Sequence, residues 1–463
     1  MKRDQIDVTE KVKDATLGLG RAVKAQTVVM RKNRMHKKMH GDTEERADDE
    51  SDVNGNNTSS VQFHDAYGFE IEIDSEDQEN ILRCLRLEQK QSVRWNEELR
   101  QHSSESLQHT AAVKKLCRGG IPPELRKHVW LHLSGAHAIK HASGTFGYMY
   151  YIEKSKLNEN CRRQIDLDVP RTFPNNQWIQ SDVGQVSLKR VLYAFSAENM
   201  VIGYCQGMNY VAAMLLLALE YDEEAAFWTM CCLIGHDTRD GILYHDLYAN
   251  NLSGCHVEMR SLDMLVESKL PKLAKHMRGL ECGMTMLATE WFLCLFSTTL
   301  PAETTFRIWD ALFSEGPKIL YRISIALLKL HESILLAAEN SGELLRNMRA
   351  AAAKEYDRDE LLHIAFDGIG RLPMNRIEKF RNEKQRMVDK EIALRETRAK
   401  LKQAIQETDS LGGEWVMMEG EQEFISCHEE DLLRQEGIHA SRSHVKTMKK
   451  FRNALLKKDS KST

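Results

Sequence analysis

Proline is scarce in this chain, eight residues in 463. So little proline leaves long stretches free to run as uninterrupted helix and argues against a many-stranded, turn-rich β protein. Cysteine occurs ten times, yet no two cysteines are spaced C-x-x-C, and Cys231, Cys232 and Cys294 sit inside apolar helical runs. That pattern excludes a secreted disulfide framework and reads as reduced, buried thiols. Long apolar runs are missing too: the longest, Tyr210 to Leu219, is too short to cross a bilayer. The N-terminus has no apolar stretch of the signal-peptide kind, and Asp4, Asp7, Glu10 and Asp14 spoil a transit peptide. The net charge is -4, so no whole-chain basic excess is available to release phosphate counterions, and a dedicated nucleic-acid binder is excluded. No P-loop or other glycine-rich nucleotide motif occurs, so no cofactor of its own is expected. These absences together predict a soluble, cytoplasmic protein.

The length gives room for more than one domain and ample core. Hydrophobic residues make up 42% and charged ones 29%, which predicts a globular body with a heavily solvated face. Residues 1–62 read as a disordered tail and linker. Arg31, Lys32, Arg34, Lys37 and Lys38 are followed by the acidic run Glu44 to Asp52 and then by N-G-N-N-T-S-S. Residues 63–112 form a lead-in: Phe69, Ile71 and Ile73 alternate as in one short strand, and Glu79 to Arg100 is helical with Trp95 as anchor.

Residues 113–340 carry dense helical signals. Gly119 and Gly120 stop one helix, and Pro122 or Pro123 opens the next, with Leu125, Val129, Trp130 and Leu133 on one side. Tyr210 to Leu219, apolar all round, predicts a central buried helix. Asp222 is a candidate N-cap. Further helices are expected from Pro271 to Gly279, Met284 to Thr299, Pro301 to Gly316 and Ile319 to Ala338. With no convincing hairpin or βαβ alternation, the expected fold is all-α. Residues 341–410 form a helical extension in which Met387, Leu394 and Leu401 make a stripe too short for a coiled coil. Residues 411–463 end in a flexible basic tail. There Val445, Met448, Phe451 and Leu455 share a helical face ringed by Lys446, Lys449, Lys450, Arg452, Lys457 and Lys458. Disorder and a weak contact with anionic membrane both fit that tail.

Two short stretches carry the chemistry. Ile165 to Thr172 reads I-D-L-D-V-P-R-T, and Ile202 to Tyr210 reads I-G-Y-C-Q-G-M-N-Y. Arg171 follows a proline that stiffens its approach, and Gln206 lies between glycines that permit tight turns. An arginine and a glutamine on stiff turns suit assistance to phosphoryl transfer in another protein's site. The guanidinium neutralises charge spreading over γ-phosphate oxygens, and the carboxamide orients water. Arginine's planar fork does this where lysine cannot. Taken singly, each of these residues is as compatible with an ordinary surface role. Asp168 is placed to orient Arg171 or to pair with Arg126 and brace the two segments, and the bracing role is the favoured one. Trp130, Tyr204 and Trp309 read as core aromatics. Thr172 is suited to a local hydrogen bond, and Asn209 to bracing the glutamine turn. Two other constellations are weaker. His137 and His141 have metal-ligand spacing but no third ligand nearby in sequence, which predicts an exposed helix face and no metal site. Cys205 lacks an identifiable base.

The segments L-R-K-H-V-W (Leu125 to Trp130), I-D-L-D-V-P-R-T and Y-C-Q-G (Tyr204 to Gly207), in that order, resemble the signature motifs of TBC domains, the GTPase activators of Rab proteins. The later F-R-I-W-D-A-L-F-S-E-G is similar as well. The resemblance covers roughly Leu116 to Ala338. D-A-Y-G-F at Asp65 and I-A-F-D-G-I-G-R-L-P-M at Ile364 look most like the Armus-type subfamily, with the growth-hormone-regulated TBC proteins next. Residues 1–60 leave no room for the lipid-binding domain common upstream in Armus-type chains. The resemblance implies a TBC-domain helical fold in which Arg171 is the arginine finger and Gln206 the glutamine finger, supported by Arg126, Trp130, Asp168, Thr172, Tyr204, Gly207 and Asn209. It implies a GTP-loaded Rab-family partner that itself holds GTP and Mg²⁺, and a cytoplasmic protein peripheral on endosomal or other vesicle membranes. The competing reading is a non-catalytic effector or scaffold that binds a Rab without accelerating hydrolysis.

Overall fold

The computed structural model describes residues 61–410 apart from 102–106, 108, 145, 237–238, 245 and 250. Residues 1–60 and 411–463 of the expected tails, with the basic helix at Val445 to Leu455, lie outside those residues; Val61 and Gln62, expected in the disordered tail, stand instead in a strand. One compact unit closes at Ile392, and the described residues of the second, 393–410, run as α-helix.

The chain enters as an antiparallel hairpin, β1 (Val61–His64) and β2 (Glu70–Ile73), where the alternation at Phe69 to Ile73 predicts a single strand. Asp65 makes the difference. Its Oδ1 accepts from the backbone N–H groups of Tyr67 and Phe69, both at 2.9 Å, and Gly68 takes φ +83°, so the chain turns back and Val61–His64 pairs with β2.

Helices then follow almost without interruption. The first five are α1 (Ser75–Gln101), α2 (Ala111–Gly119), α3 (Pro123–Leu133), α4 (Ala136–Ala142) and α5 (Tyr148–Lys154). Next come α6 (Glu159–Asp168), α7 (Asp182–Glu198), α8 (Met208–Ala218) and α9 (Glu223–Ile234). Their starts are fixed by side chains that satisfy otherwise unpaired N–H groups. Thr110 accepts from Val113, Asn158 from Cys161, Ser181 from Gly184 and Asp222 from Ala225, at 3.0–3.2 Å. Helix α8 is buried over its whole length except Tyr210, and α7 and α9 pack on it. A short hairpin, β3 (Gly235–His236) with β4 (Arg239–Asp240), leads out of α9. It is too small to change an all-α architecture.

The second half comprises α10 (Ser253–Lys269), α11 (Pro271–Gly279), α12 (Met284–Leu293), α13 (Ala302–Glu315), α14 (Lys318–Leu330) and α15 (Glu332–Leu336). Two of the expected helices are shorter than their apolar pattern. The one from Met284 stops at Leu293 because Leu295 and Phe296 adopt left-handed φ of 50° and 67°. The run from Ile319 breaks at His331, whose ring faces Glu355 at 3.4 Å, so α15 is a separate helix. The extension holds α16 (Ser341–Ala353), α17 (Arg358–His363) and α18 (Met374–Ser410). Helix α18 docks through Ile377 and Val388, both buried. Arg381 donates to the fully buried Glu258 at 2.8 Å and lies over the Tyr244 ring at 3.4 Å. Met387 is 45% exposed, so it is not part of that docking face.

The strongest polar constraint is a buried arginine. Arg126, 1% exposed on α3, donates to both oxygens of Glu303, at 2.9 and 2.6 Å, and to both of Asp310, at 3.2 and 3.3 Å. Asp310 also accepts from Trp130 Nε1 and from the Ile121 N–H, each at 2.9 Å. Tyr67 Oη, from the entry hairpin's turn, donates to Glu303 at 2.6 Å and accepts from Arg126 at 2.9 Å. Burial pulls the carboxyl of Glu303 up, but Arg126 and Arg358 outweigh it and hold the group at about 2. At Asp310, wholly buried, burial wins and the carboxyl is raised despite Arg126 and Arg307.

Replacing Arg126 with methionine keeps much of the volume but removes the cation that both carboxylates hydrogen-bond, leaving Glu303 only the Arg358 cation, at 3.5 Å. Urea unfolding of Arg126→Met should show stability lower by about 3–5 kcal/mol. An unchanged midpoint would mean that the cluster does not hold α3 to α13.

Candidate functional site

Helix α6 ends by turning Ile165 and Asp168 inward, both buried, while Asp166 and Leu167 stay exposed. Pro170 cannot supply the N–H that would continue the helix. The chain tightens into a single 3-10 turn, Val169–Arg171, and leaves extended at Thr172. Phe173 then takes φ +46° and its ring meets Phe69 at 5.1 Å and Tyr210 at 5.0 Å. Arg171 is thereby lifted onto the surface, with its side chain 58% exposed.

The glutamine turn lies between α7 and α8. Gly203 has φ +64° and a Cβ there would sit 3.1 Å from Cys161 Sγ on α6. Gly207 has φ +108°, and a Cβ there would sit 3.2 Å from the Leu293 carbonyl oxygen. Both positions require glycine, for backbone conformation and for close approach. Between them Tyr204 is buried and Gln206 is exposed.

Two buried hydrogen-bond paths join the turns. Asp168 Oδ1 accepts from Arg171 Nε at 3.0 Å and Nη2 at 2.5 Å, while its Oδ2 accepts from Tyr204 Oη at 2.6 Å. Thr172 Oγ1 donates to the Asp168 carbonyl at 2.9 Å and accepts from Asn209 Nδ2 at 2.8 Å; Asn209 Oδ1 accepts from the Gly207 N–H at 3.0 Å. The bond to Asp168 raises the Arg171 guanidinium above its usual range, so Arg171 keeps its charge. Burial raises the Cys205 thiol, as does the negative charge of Asp168. A neutral thiol of this kind is a poor nucleophile.

The favoured reading of Asp168 is corrected by this geometry. Asp168 does not pair with Arg126; it holds Arg171 and Tyr204, and Arg126 is neutralised by Glu303 and Asp310 on α13. Arg126 and Trp130 therefore belong to a buried frame away from the two turns. Sequence reasoning missed Glu303 and Asp310, which share one face of α13 with Arg307 at spacings of four and three; that repeated charge on an apolar helix is the signal that could have found them. Gln180 and Gln185, which donate to the carbonyls of Thr172 and Ile179 at 2.9 Å and so clamp the arginine loop, carry no such signal. His137 and His141 meet at 3.2 Å between Nε2 atoms on the surface. Among the described residues no group of three or more His, Cys, Asp or Glu is arranged for a metal ion, and no described helix is long and apolar enough to cross a membrane.

A family profile for the Rab-GTPase-TBC domain matches residues 123–336. Growth hormone-regulated TBC protein 1 of Xenopus laevis is 34% identical over 336 residues, 71% of this chain and 95% of that protein. TBC1 domain family member 2A of Mus musculus is 33% identical over 306 residues, 65% of this chain but only 32% of that longer protein. Both kinds of relative named from the sequence are thus represented. Among solved structures, the crystal structure of the Chlamydomonas flagellar RabGAP TBC domain is 37% identical, with a TM-score of 0.60, covering 67% of this chain and all of that one. The chain belongs to the Rab-GTPase-TBC domain family, which implies GTPase-activating activity and a Rab GTPase partner.

Proposed function

We propose that this chain accelerates GTP hydrolysis by a GTP-loaded Rab-family GTPase, inserting Arg171 and Gln206 together into the partner's nucleotide site. The observation that carries the reading is the pairing of two exposed side chains on turns tied by Asp168, Tyr204, Thr172 and Asn209. GTP and Mg²⁺ belong to the partner, and this chain supplies no cofactor. Arg171 uses Nε and Nη2 on Asp168, which leaves the Nη1 edge for a γ-phosphate oxygen. The guanidinium stands in solvent while its acceptor is buried, so it takes a phosphate oxygen on its open edge without giving up Asp168. Gln206 places its carboxamide beside the attacking water, and the buried path through Asn209 fixes its turn before the partner arrives. Pre-formed geometry of this kind is what converts binding into rate. The tails add a weak anionic-membrane contact that keeps a cytoplasmic protein near vesicle surfaces.

Single-turnover phosphate release across a Rab panel tests the mechanism and names the substrate. Arg171→Ala should lower stimulated hydrolysis by about 10³-fold or more, and Arg171→Lys should recover little of it. Gln206→Ala should lose on the order of 10²-fold. Wild-type stimulation by Arg171→Ala would overturn the arginine-finger mechanism; binding of a loaded Rab with no stimulation by the wild-type chain would leave the effector reading.

Asp168→Asn keeps an acceptor for Arg171 but removes the charge. Its kcat should fall about tenfold while KM and the melting temperature change little. A loss confined to KM would assign Asp168 to partner binding instead.

Deletion of Ser443 to Thr463 should weaken co-sedimentation with anionic liposomes and leave hydrolysis in solution unchanged. Undiminished sedimentation would remove the membrane role of the tail.

A further inference from the structure

Beneath the glutamine turn lies a feature that the finger chemistry leaves unexplained. Leu295 and Phe296 are consecutive non-glycine residues in the left-handed region, and both are fully buried. L-residues avoid that region because Cβ crowds the following carbonyl, and such conformations persist only where the surroundings over-determine them. Here the surroundings do so. The Phe296 N–H donates to the Trp291 carbonyl at 3.0 Å, and Trp309 Nε1 donates to the Leu295 carbonyl at 2.9 Å. Tyr248, 2% exposed in the loop before α10, donates its hydroxyl to the Leu293 carbonyl at 2.8 Å.

That same Leu293 carbonyl is what a Cβ at Gly207 would meet at 3.2 Å, with Cys294 Sγ next at 3.5 Å. The residue directly after Gln206 therefore packs against the same carbonyl oxygen that Tyr248 holds. We infer that the Leu293–Phe296 turn is a rigid seat for the glutamine finger, and that Tyr248 is a positioning residue that fixes the height of the seat. The inference rests on the reading of Gln206 as the group that orients water. The α12 end stops in a strained turn, instead of running on to Thr299 as its apolar pattern predicts, so that a carbonyl edge faces Gly207. Two contacts then hold the glutamine turn: Asn209 Oδ1, which accepts from the Gly207 N–H, and the Tyr248-held Leu293 carbonyl, which limits how close Gly207 can approach. The Cys294 N–H keeps its bond to the Glu290 carbonyl at 2.9 Å, so without the phenol hydroxyl the Leu293 carbonyl tilts out of its fixed direction, and the turn above it can sink or tilt with it.

The experiment is a double-mutant cycle on the full chain, with the Rab most strongly stimulated in the panel as substrate. Tyr248→Phe removes only the hydroxyl; Gly207→Ala, with a methyl against the Leu293 oxygen, lifts the turn off its seat and serves as the second variant if Tyr248→Phe folds poorly. Each alone should lower kcat by about 10- to 10²-fold, as a displacement near 1 Å does, with KM close to wild type. In a Gln206→Ala background neither should lower kcat further, because no finger remains to be misplaced. If Gln206→Ala shows its loss and Tyr248→Phe multiplies with it, the seat is overturned while the glutamine reading stands. Wild-type kcat for both seat variants overturns it equally. Wild-type kcat for Gln206→Ala overturns the glutamine reading and the seat with it.

Discussion

The carboxylate of Asp168 divides its two oxygens between the halves of the site, one to the guanidinium of Arg171 and the other to the hydroxyl of Tyr204. A residue at the end of a helix thereby becomes the point from which two distant segments are measured. The arginine turn cannot shift without moving the phenol that begins the glutamine turn. The parallel path through Thr172 and Asn209 removes the remaining freedom. Buried, fully satisfied polar networks are rigid because every alternative leaves a polar group unpaired in a low-dielectric interior. The fingers are exposed, but what lies directly under them is not.

This arrangement needs a frame that does not flex, and the frame is electrostatic as well as apolar. Arg126 sits in the interior with two carboxylates on one helix, an indole N–H and a phenol. A buried cation missing either carboxylate would be strongly destabilising, so α3, α13 and the turn of the entry hairpin are fixed together. From that turn, Gly68, Phe69 and Glu70 bond or stack onto Phe173 to Gln177, directly after Arg171. The lead-in is thus a strut between the buried arginine cluster and the arginine loop. That gives the D-A-Y-G-F segment a mechanical role.

Much of this was legible in the sequence. Helix starts followed from Asp222, from the Pro122–Pro123 pair, and from Pro271 and Pro301, whose capping and first-turn chemistry is local. The central burial of α8 followed from apolarity on every face. The candidate fingers stood out because stiff turns are marked by Pro170, Gly203 and Gly207. Partners across the fold were not legible. Asp168 has Arg171 three residues away and Arg126 far along the chain, and spacing alone does not decide which of them a carboxylate reaches. The early ends of α12 and α14 were hidden because Leu295, Phe296 and His331 have nothing local that forbids a helix. Tertiary hydrogen bonds from Trp309 and Tyr248, and the contact with Glu355, override the propensity there.

The two arginines that organise this chain carry the same group and do opposite work, and burial decides which. Around Arg126 water is excluded, so charge pairing is strong and the side chain is locked into a fixed geometry on which the fold relies. Around Arg171 the solvent screens its pair with Asp168, so the interaction aims the guanidinium without capturing it. A finger buried as deeply as Arg126 would have to break a strong pair before reaching any partner. One with no carboxylate beside it would sample many rotamers and pay their entropy on binding. An exposed arginine with a rigid, buried acceptor sits between these limits, oriented in advance and still charged, as the proposed finger requires.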